Sequence, residues 1–139
     1  MPQAEGKTIP FKGHEFIDAS GLETFPYEGP RQRVTYTTTE FSAVCPFSGL
    51  PDIGTVTVDY MPRAKCVELK SLKYYYLSYR DVGIYQEGAT ARIFQDLWKT
   101  LEPFELKITV KYQTRGGIDT LSSVSSADFQ NANTTQKIL

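Results

Sequence analysis

A cysteine and an aspartate lie close together in the chain, at the two ends of a segment rich in proline and glycine. Cys45 directly follows a run of β-branched and aromatic residues, and Asp52 comes seven positions later. Loops at strand ends often present side chains to ligands, and a thiol held near a carboxyl group can serve as nucleophile and proton donor. The alternative is a buried structural cysteine beside a turn aspartate, and the spacing alone leaves both interpretations open.

Two lysines define a second candidate site. Lys70 and Lys73 are three positions apart in a stretch with helical periodicity, so their side chains share one face. Two ammonium groups at the start of a helix oppose the helix dipole. Such an arrangement makes sense if the face binds an anion such as a phosphate, with Ser71 and the neighbouring amides contributing. The alternative is an ordinary solvated surface.

Three further residues have a structural as well as a functional interpretation. Glu87 begins a second helical stretch, where a carboxylate is favourable as an N-terminal cap. Arg115 precedes two glycines and fits a hairpin turn, although a turn arginine can also reach a phosphate. Cys66 has no partner motif, and we expect it to contribute to packing.

Composition restricts the classes of chemistry. The 139 residues include one histidine, His14, and two cysteines, so the usual zinc site is not expected. The chain has 15 basic and 16 acidic residues, a formal net charge of -1, which argues against a dedicated nucleic-acid-binding protein. No stretch approaches the roughly 20 consecutive apolar residues that a membrane span requires. We therefore expect a single small cytoplasmic domain that binds neither a metal nor a membrane.

Hydrophobic periodicity predicts the elements that position these residues. Alternation of apolar and polar residues predicts four strands, over about 33–44, 55–60, 105–112 and 118–124. A helical stripe closed at Gly83 consists of Leu69, Leu72, Tyr76 and Tyr79. A second helix runs from about Glu87 to Pro103. The order ββααββ indicates an α+β domain with two helices on one face of an antiparallel sheet.

The two ends of the chain lack this periodicity. Residues 1–31 are predicted to form an irregular N-terminal arm, 32–126 the folded domain, and 127–139 a polar, mobile tail. A four-stranded sheet with helices on one face leaves both of its edges bare, and bare edges pair with other chains. We therefore expect a homo-oligomer in which sheet continues into sheet around a closed ring.

Two motifs carry a resemblance to a known family. The run Cys45–Asp52 reads C-P-F-S-G-L-P-D, and Glu68–Tyr75 fits E-(S/L)-K-(S/A)-x-K-(Y/L)-(Y/F/W) at every defined position. The similarity continues through Tyr85–Glu87 and Arg115–Gly117, and it covers about residues 20–125. Together these segments resemble the short, single-domain NADPH-dependent 7-cyano-7-deazaguanine reductases.

The resemblance implies a fold and an activity. The fold is the tunnelling fold, whose ββααββ units assemble into rings with sites between subunits, and the activity is reduction of a nitrile to a primary amine in queuosine biosynthesis. Cys45 is implied to attack the nitrile carbon and form a thioimide, and Asp52 to donate protons. NADPH delivers one hydride, the imine is held, and a second NADPH completes the four-electron reduction. A thiol with a pKa of ~8.5 needs activation, for which the two lysines and a nearby amide dipole are candidates.

The resemblance also implies binding roles. The residues implied to contact the substrate are Val67, Glu68, Leu69, Gln86 and Glu87. Among them a carboxylate such as that of Glu87 suits the amino and ring N–H donors of a deazaguanine. The residues implied to bind NADPH are Lys70, Ser71, Lys73, Tyr74 and Arg115.

Two positions depart from the family pattern. Gln86 stands where many members have histidine, and a glutamine can hold a hydrogen bond but cannot shuttle a proton near neutral pH. Ala89 stands where some relatives have a second cysteine able to pair with the nucleophile, so that disulfide is excluded here.

Three alternatives remain. An archaeal branch of similar proteins uses the same cysteine and aspartate to add ammonia to a nitrile on tRNA, forming archaeosine without NADPH, but it has no need of the Glu68–Tyr75 stretch. Cyclohydrolase relatives of the same fold need zinc-type ligands that this chain lacks. A non-catalytic purine-binding protein would not need both Cys45 and Asp52.

Overall fold

Four long strands and two helices follow one another in the predicted order ββααββ. The computed structural model describes residues 5–129. The strands are β1 (Thr24–Pro26), β2 (Val34–Val44), β3 (Pro51–Met61), β4 (Lys65–Val67), β5 (Glu105–Arg115) and β6 (Ile118–Ser125), and the helices are α1 (Leu69–Leu77) and α2 (Gln86–Leu101). β2, β3, β5 and β6 form an antiparallel sheet in the order β2-β3-β5-β6. The predicted α+β architecture is confirmed.

The core lies between one face of this sheet and the two helices. On β3 and β5 the predicted alternation is confirmed, because every second residue is buried and its neighbours are not. The main members of this layer are Val56, Val58, Tyr60, Leu106, Ile108, Val110, Tyr112, Leu72, Tyr75, Ile93, Phe94 and Leu97. In the middle of β3 and β5 the opposite sheet face is polar, with Thr55, Thr57, Asp59, Lys107, Thr109 and Lys111. No helix within residues 5–129 is long and apolar enough to cross a membrane.

Helix α1 is shorter than its periodicity predicts. It ends at Leu77, where the N–H of Ser78 donates to the last carbonyls, and the chain then turns before reaching Gly83. The buried residues of α1 are Ser71, Leu72 and Tyr75, whereas Leu69 is 55% exposed. The predicted stripe is therefore wrong at Leu69, which is exposed, and places Tyr79 in the helix, whereas Tyr79 is buried from the turn that follows the helix.

Two loops also differ from the prediction. β3 begins at Pro51, so Asp52 belongs to the strand and the loop after β2 is confined to residues 45–50. Arg115 is the last residue of β5, and the turn itself consists of Gly116 and Gly117. Pairing with β2 and β6 carries both strands further than side-chain alternation alone indicates.

The N-terminal arm has more order than the sequence indicates. It contains a 3-10 turn at His14–Phe16, and its β1 pairs with β4 in a small second sheet. At the other end of the chain, residues 126–129 form a 3-10 turn, with Phe129 packed near Phe94. The remainder of the predicted mobile tail lies outside the described residues.

The two outer strands of the main sheet are β2 and β6. Among residues 5–129, β2 receives an outer neighbour only at its end, where Val44 pairs with the segment 82–84. The outer edge of β6 has no strand partner in this part of the chain. These open edges are the feature from which the sequence predicts a homo-oligomer.

Candidate active site

Cys45 lies at the mouth of a tight loop that its own backbone closes. Its N–H donates to the carbonyl of Leu50 and its carbonyl accepts from the N–H of Gly49, both at 2.9 Å. Gly49 has a φ of 74°, a left-handed conformation that favours glycine. The Cys45 side chain remains partly exposed, so the loop presents its thiol to an incoming ligand.

The surroundings of Cys45 favour its thiolate. The hydroxyl of Ser48 and the backbone N–H groups of Ser48 and Phe47 face the sulfur and lower the pKa of Cys45, and partial burial opposes them. The positive charge of Arg115 adds a smaller effect in the same direction. Within one chain the activating groups are therefore the hydroxyl and amides of the loop, together with Arg115, and Lys70 and Lys73 are not among them.

Asp52 occupies the end of the core-facing row of β3. It pairs across the sheet with Ala43, two residues before Cys45, and is only 4% exposed. A buried carboxylate requires a partner, and Arg115 provides it through an ion pair between its Nη1 and the Asp52 carboxylate. The structure thus places Arg115 beside Asp52 and Cys45, whereas the resemblance implied a cofactor role for it.

Tyr112 is a site residue that the sequence analysis did not identify. It lies opposite Gly54 on β5, and its hydroxyl donates to the carbonyl of Gln86 at 3.4 Å. Burial, and then the negative charges of Asp52 and Glu87, raise the pKa of Tyr112, so its phenol stays protonated. In the sequence, only one feature of Tyr112 could have indicated a role in the site. It is the last apolar residue of an alternating strand, at the end of the strand where the predicted loop lies.

The start of α2 completes this cluster. The segment 82–84 is hydrogen bonded to Val44, which brings Tyr85 and the first turn of α2 next to the Cys45 loop. The rings of Phe47 and Tyr85 meet edge to face with centroids 5.9 Å apart. Cys45, Asp52, Gln86 and Glu87 therefore belong to one end of the sheet.

The predicted anion site at the start of α1 is already filled by the protein. The carboxylate of Glu68 caps the helix by accepting from the N–H groups of Lys70 and Ser71, at 2.7 and 2.9 Å. The Ser71 hydroxyl donates to the Glu68 carbonyl and accepts from the N–H of Glu23. The amides and hydroxyl that were expected to bind a phosphate are thus engaged, and this explains how α1 tolerates two lysines in its first turns.

Lys70, Lys73 and Tyr74 remain exposed on α1, and neither lysine forms an ion pair with a described residue. Lys73 borders a groove between α1 and the edge strand β2 with a volume of about 140 Å³. The residues lining this groove are Tyr36, Thr37, Thr38, Glu40, Leu69, Leu72, Lys73 and Tyr76.

The residues predicted to bind substrate do not all come together in one chain. The N–H of Val67 donates to the hydroxyl of Tyr60, and the Val67 side chain is fully buried. Tyr60 and Asp52 are eight positions apart on β3, which corresponds to roughly 26 Å at about 3.3 Å per residue. Val67, Glu68 and Leu69 therefore lie at the far end of the sheet from Cys45.

The described residues contain no cluster of three or more histidine, cysteine, aspartate or glutamate side chains able to hold a metal ion. Cys66 is buried in the packing next to Tyr60, in agreement with its structural interpretation. The chemistry available at the Cys45 end is therefore that of an activated thiol beside a buried, arginine-paired carboxylate and a neutral phenol.

Comparisons with known proteins point in one direction. The model of the QueF-like protein family matches residues 51–131. The chain is 51% identical to an NADPH-dependent 7-cyano-7-deazaguanine reductase of Thermotoga petrophila, over 92% of this chain and 94% of that protein. It is 53% identical to a protein of the same name from Caldicellulosiruptor bescii, over 78% of this chain and 84% of that protein.

A solved structure shares the fold. The apo crystal structure of a QueF-like archaeosine synthase superposes with a TM-score of 0.61, over 70% of this chain and 95% of that chain. The two sequences are 24% identical, and at that level the likeness shows the fold alone.

Proposed function

Since the chain belongs to the QueF-like protein family, as the motif resemblance predicts, we propose that it reduces 7-cyano-7-deazaguanine to 7-aminomethyl-7-deazaguanine with NADPH. The observation that supports this most directly is the cluster at the Cys45 end of the sheet. A nucleophile, a buried carboxylate with its arginine and a first helical turn bearing Glu87 lie within one small region.

The first step is addition of Cys45 to the nitrile. The sulfur forms a bond to the nitrile carbon, one of the two π bonds of the nitrile opens, and the nitrogen takes up a proton to give the thioimide. The lowered pKa of Cys45 raises the fraction of thiolate near neutral pH, and the thiolate is the attacking species. A thioimide accepts a hydride more readily than the free nitrile.

Asp52 transfers the protons. Its carboxylate accepts the proton that the thiol of Cys45 loses and delivers it to the nitrile nitrogen, while Arg115 holds the carboxylate in position. Over the whole reaction the nitrile carbon receives two hydrides and the nitrogen two protons, and the sulfur leaves again as thiolate after the first reduction.

Gln86 and Glu87 hold the deazaguanine. The Glu87 carboxylate accepts hydrogen bonds from the amino and ring N–H groups of the base. Gln86 offers an amide at the position where many relatives have histidine, so it binds without exchanging protons. The hydroxyl of Tyr112 donates to the Gln86 carbonyl and so helps to hold the first turn of α2 in position.

The residues at the start of α1 fit NADPH. Two lysines without acidic partners among the described residues, an exposed Tyr74 and the adjoining groove suit a ligand with phosphates and aromatic rings. When bound, NADPH supplies the hydrides. Lys70 and Lys73 contribute charge to its phosphates, whereas Ser71 contributes through the capped helix that it stabilises.

The complete site requires a second copy of the chain. A single bicyclic base cannot contact Cys45 and the Val67–Leu69 segment of the same chain, because these lie at opposite ends of the sheet. We infer that the Cys45 end of one copy meets the Val67–Leu69 segment of another in the assembled oligomer, to which the open β2 and β6 edges offer contacts. In this arrangement Leu69 and the main chain of Val67 contribute the substrate contacts, since the Val67 side chain is buried.

The proposed function is tested by turnover. Purified protein is mixed with 7-cyano-7-deazaguanine and NADPH, and nicotinamide absorbance is followed together with the mass of the product. We expect two NADPH oxidised per nitrile consumed. Cys45→Ala removes the nucleophile and abolishes turnover, whereas the matched Cys66→Ala variant, which changes the buried thiol, retains it.

Two results would contradict the proposal. A covalent adduct on Cys45 without oxidation of NADPH would point to an amidine-forming reaction. Absence of both adduct and oxidation, in a protein with a cooperative unfolding transition, would exclude nitrile chemistry altogether.

A further inference from the structure

The N-terminal arm contacts the nucleophile loop through its backbone. The N–H of Ile9 donates to the carbonyl of Ser48 at 2.8 Å. Ser48 is the residue whose hydroxyl faces the sulfur of Cys45. That hydroxyl also accepts from the N–H of Leu50 at 3.2 Å, which leaves its hydrogen free to donate.

A second contact reaches Cys45 through the segment 82–84. The N–H of Lys12 donates to the Asp81 carbonyl at 2.7 Å, and the Lys12 carbonyl accepts from the N–H of Gly83 at 2.9 Å. The same segment bonds in turn to Val44, the residue before Cys45. The arm therefore holds the loop from two directions.

Two glycines make room for the arm. A Cβ at Gly49 would collide with the backbone carbonyl of Ile9, and a Cβ at Gly83 would collide with the ring of Phe11. Gly49 is also required by its positive φ, but Gly83 has no such constraint, so its missing side chain serves the arm alone. The arm therefore packs closely against the protein at two separate points, which indicates a specific binding position for it.

From these contacts we propose that residues 7–12 act as a strap that holds the loop 45–50 in the form in which the Ser48 hydroxyl faces the Cys45 sulfur. Ile9 and Ser48 are then positioning residues for the nucleophile. The inference deepens the proposed function, since it takes from it the role of Cys45. The proposal gives the N-terminal arm a role that its sequence alone did not indicate.

The charged and titratable groups around the Cys45 loop come from three elements. Arg115 of β5 is paired with Asp52 of β3, and Tyr112 of β5 is a neutral phenol. The start of α2 brings Glu87 and the phenol of Tyr85, whose ring meets Phe47. None of them belongs to the arm or contacts Ile9. A change in the arm therefore reaches the thiol through the loop and leaves these groups in place.

The test is the pH dependence of Cys45 alkylation by iodoacetamide in the full chain. Trypsin separates Cys45 (peptide 34–63) from Cys66 (peptide 66–70), so mass spectrometry follows each thiol by itself. Ile9→Pro removes the N–H that bonds to Ser48, and Ser48→Ala removes the hydroxyl. Both variants should move the alkylation midpoint to higher pH and slow alkylation near neutral pH by about threefold or more, because only the thiolate reacts and its fraction falls.

Three further variants separate positioning from folding. Ser48→Thr keeps a hydroxyl and should restore the wild-type profile. Lys7→Pro places the same ring in the arm, at an N–H that bonds to no described residue, and should leave the profile unchanged. Gly83→Ala displaces Phe11 of the arm without changing any residue of the loop, and it should shift the midpoint as Ile9→Pro does.

An Ile9→Pro variant that unfolds like wild type and keeps the wild-type alkylation profile would overturn the strap. A wild-type profile in Ser48→Ala would overturn the role of Ser48. Alkylation needs neither nitrile nor NADPH, so loss of turnover in the wild-type protein would count against the proposed function and not against the strap.

Discussion

At the scale of single residues, the pair formed by Asp52 and Arg115 joins stability to chemistry. The Asp52 side chain is 5% exposed and that of Arg115 is 44% exposed, so the carboxylate depends on its partner far more than the guanidinium does. The sequence gives no indication that Asp52 and Arg115 form a pair, because they are 63 positions apart and belong to different motifs. Only the register of β3 against β5 brings them together.

Removing the arginine should therefore leave a buried charge without compensation. We expect Arg115→Gln to lower the free energy of unfolding by about 1–3 kcal/mol, the usual cost of an unsatisfied buried polar or charged group. Adding Asp52→Asn to that variant should recover most of the loss, as a double-mutant cycle in urea would measure. Arg80→Gln, an exposed arginine without an ion pair among the described residues, should change stability by less than about 0.5 kcal/mol.

If the two single variants simply add in the cycle, the contact between Asp52 and Arg115 does not stabilise the fold. In that case Arg115 would be available for another task, including the cofactor role that the resemblance implied for it.

At the scale of elements, the cap of α1 shows how a motif combines structural and functional demands. Glu68 provides both carboxylate oxygens to the first amides of the helix. The motif Glu68–Tyr75 was interpreted as binding substrate and cofactor. Its acidic first residue also has a structural role, the cap of α1, that is independent of either ligand.

We expect Glu68→Ala to lower the free energy of unfolding by about 1 kcal/mol, the typical cost of a lost N-cap. Glu23→Ala is the matched control, since Glu23 contacts Ser71 and Glu68 only through its backbone and should be neutral. Glu68→Gln keeps one of the two acceptor oxygens, so it should lose less stability than Glu68→Ala. Full turnover in Glu68→Gln would mean that the residue caps α1 and does not bind substrate through its charge.

The strands were predictable from sequence, and the packing of the arm was not. Residues of β3 and β5 alternate between a buried and a solvated face, and residues such as Val58 and Ile108 therefore recur at every second position as apolar side chains. The arm attaches mainly by backbone hydrogen bonds and a three-residue strand, which leave no periodicity to detect. Cys45 and Asp52 were identified by their motif, whereas Tyr112 looked like one more core residue and Arg115 like part of a turn.

At the scale of the whole molecule, the candidate residues divide between two ends of one sheet. Cys45 and Asp52 lie at one end, and α1 carries Lys73 beside the groove along β2 towards the other. A complete site would form if neighbouring copies contributed different parts of it. The open β2 and β6 edges are available for contacts between such copies.

Complementation measures this directly. Cys45→Ala and the double variant Lys70→Ala/Lys73→Ala should each be inactive alone. Co-expressed with different tags and purified as mixed oligomers, they should recover about one quarter of wild-type activity, since random assembly gives that share of sites with both halves intact. Complete inactivity of the mixed oligomer would place both halves of the site in the same chain.

The backbone contacts of the arm also bear on how this protein can change over evolutionary time. Hydrogen bonds from the N–H of Ile9 and from both backbone groups of Lys12 survive almost any side-chain replacement. Sequence drift in the arm would thus leave its hold on the loop intact, while a single methyl group added at Gly83 would disturb it. Selection on the arm would then be recorded in Gly83, a residue outside it, and the arm itself would show little similarity between relatives that use it in the same way.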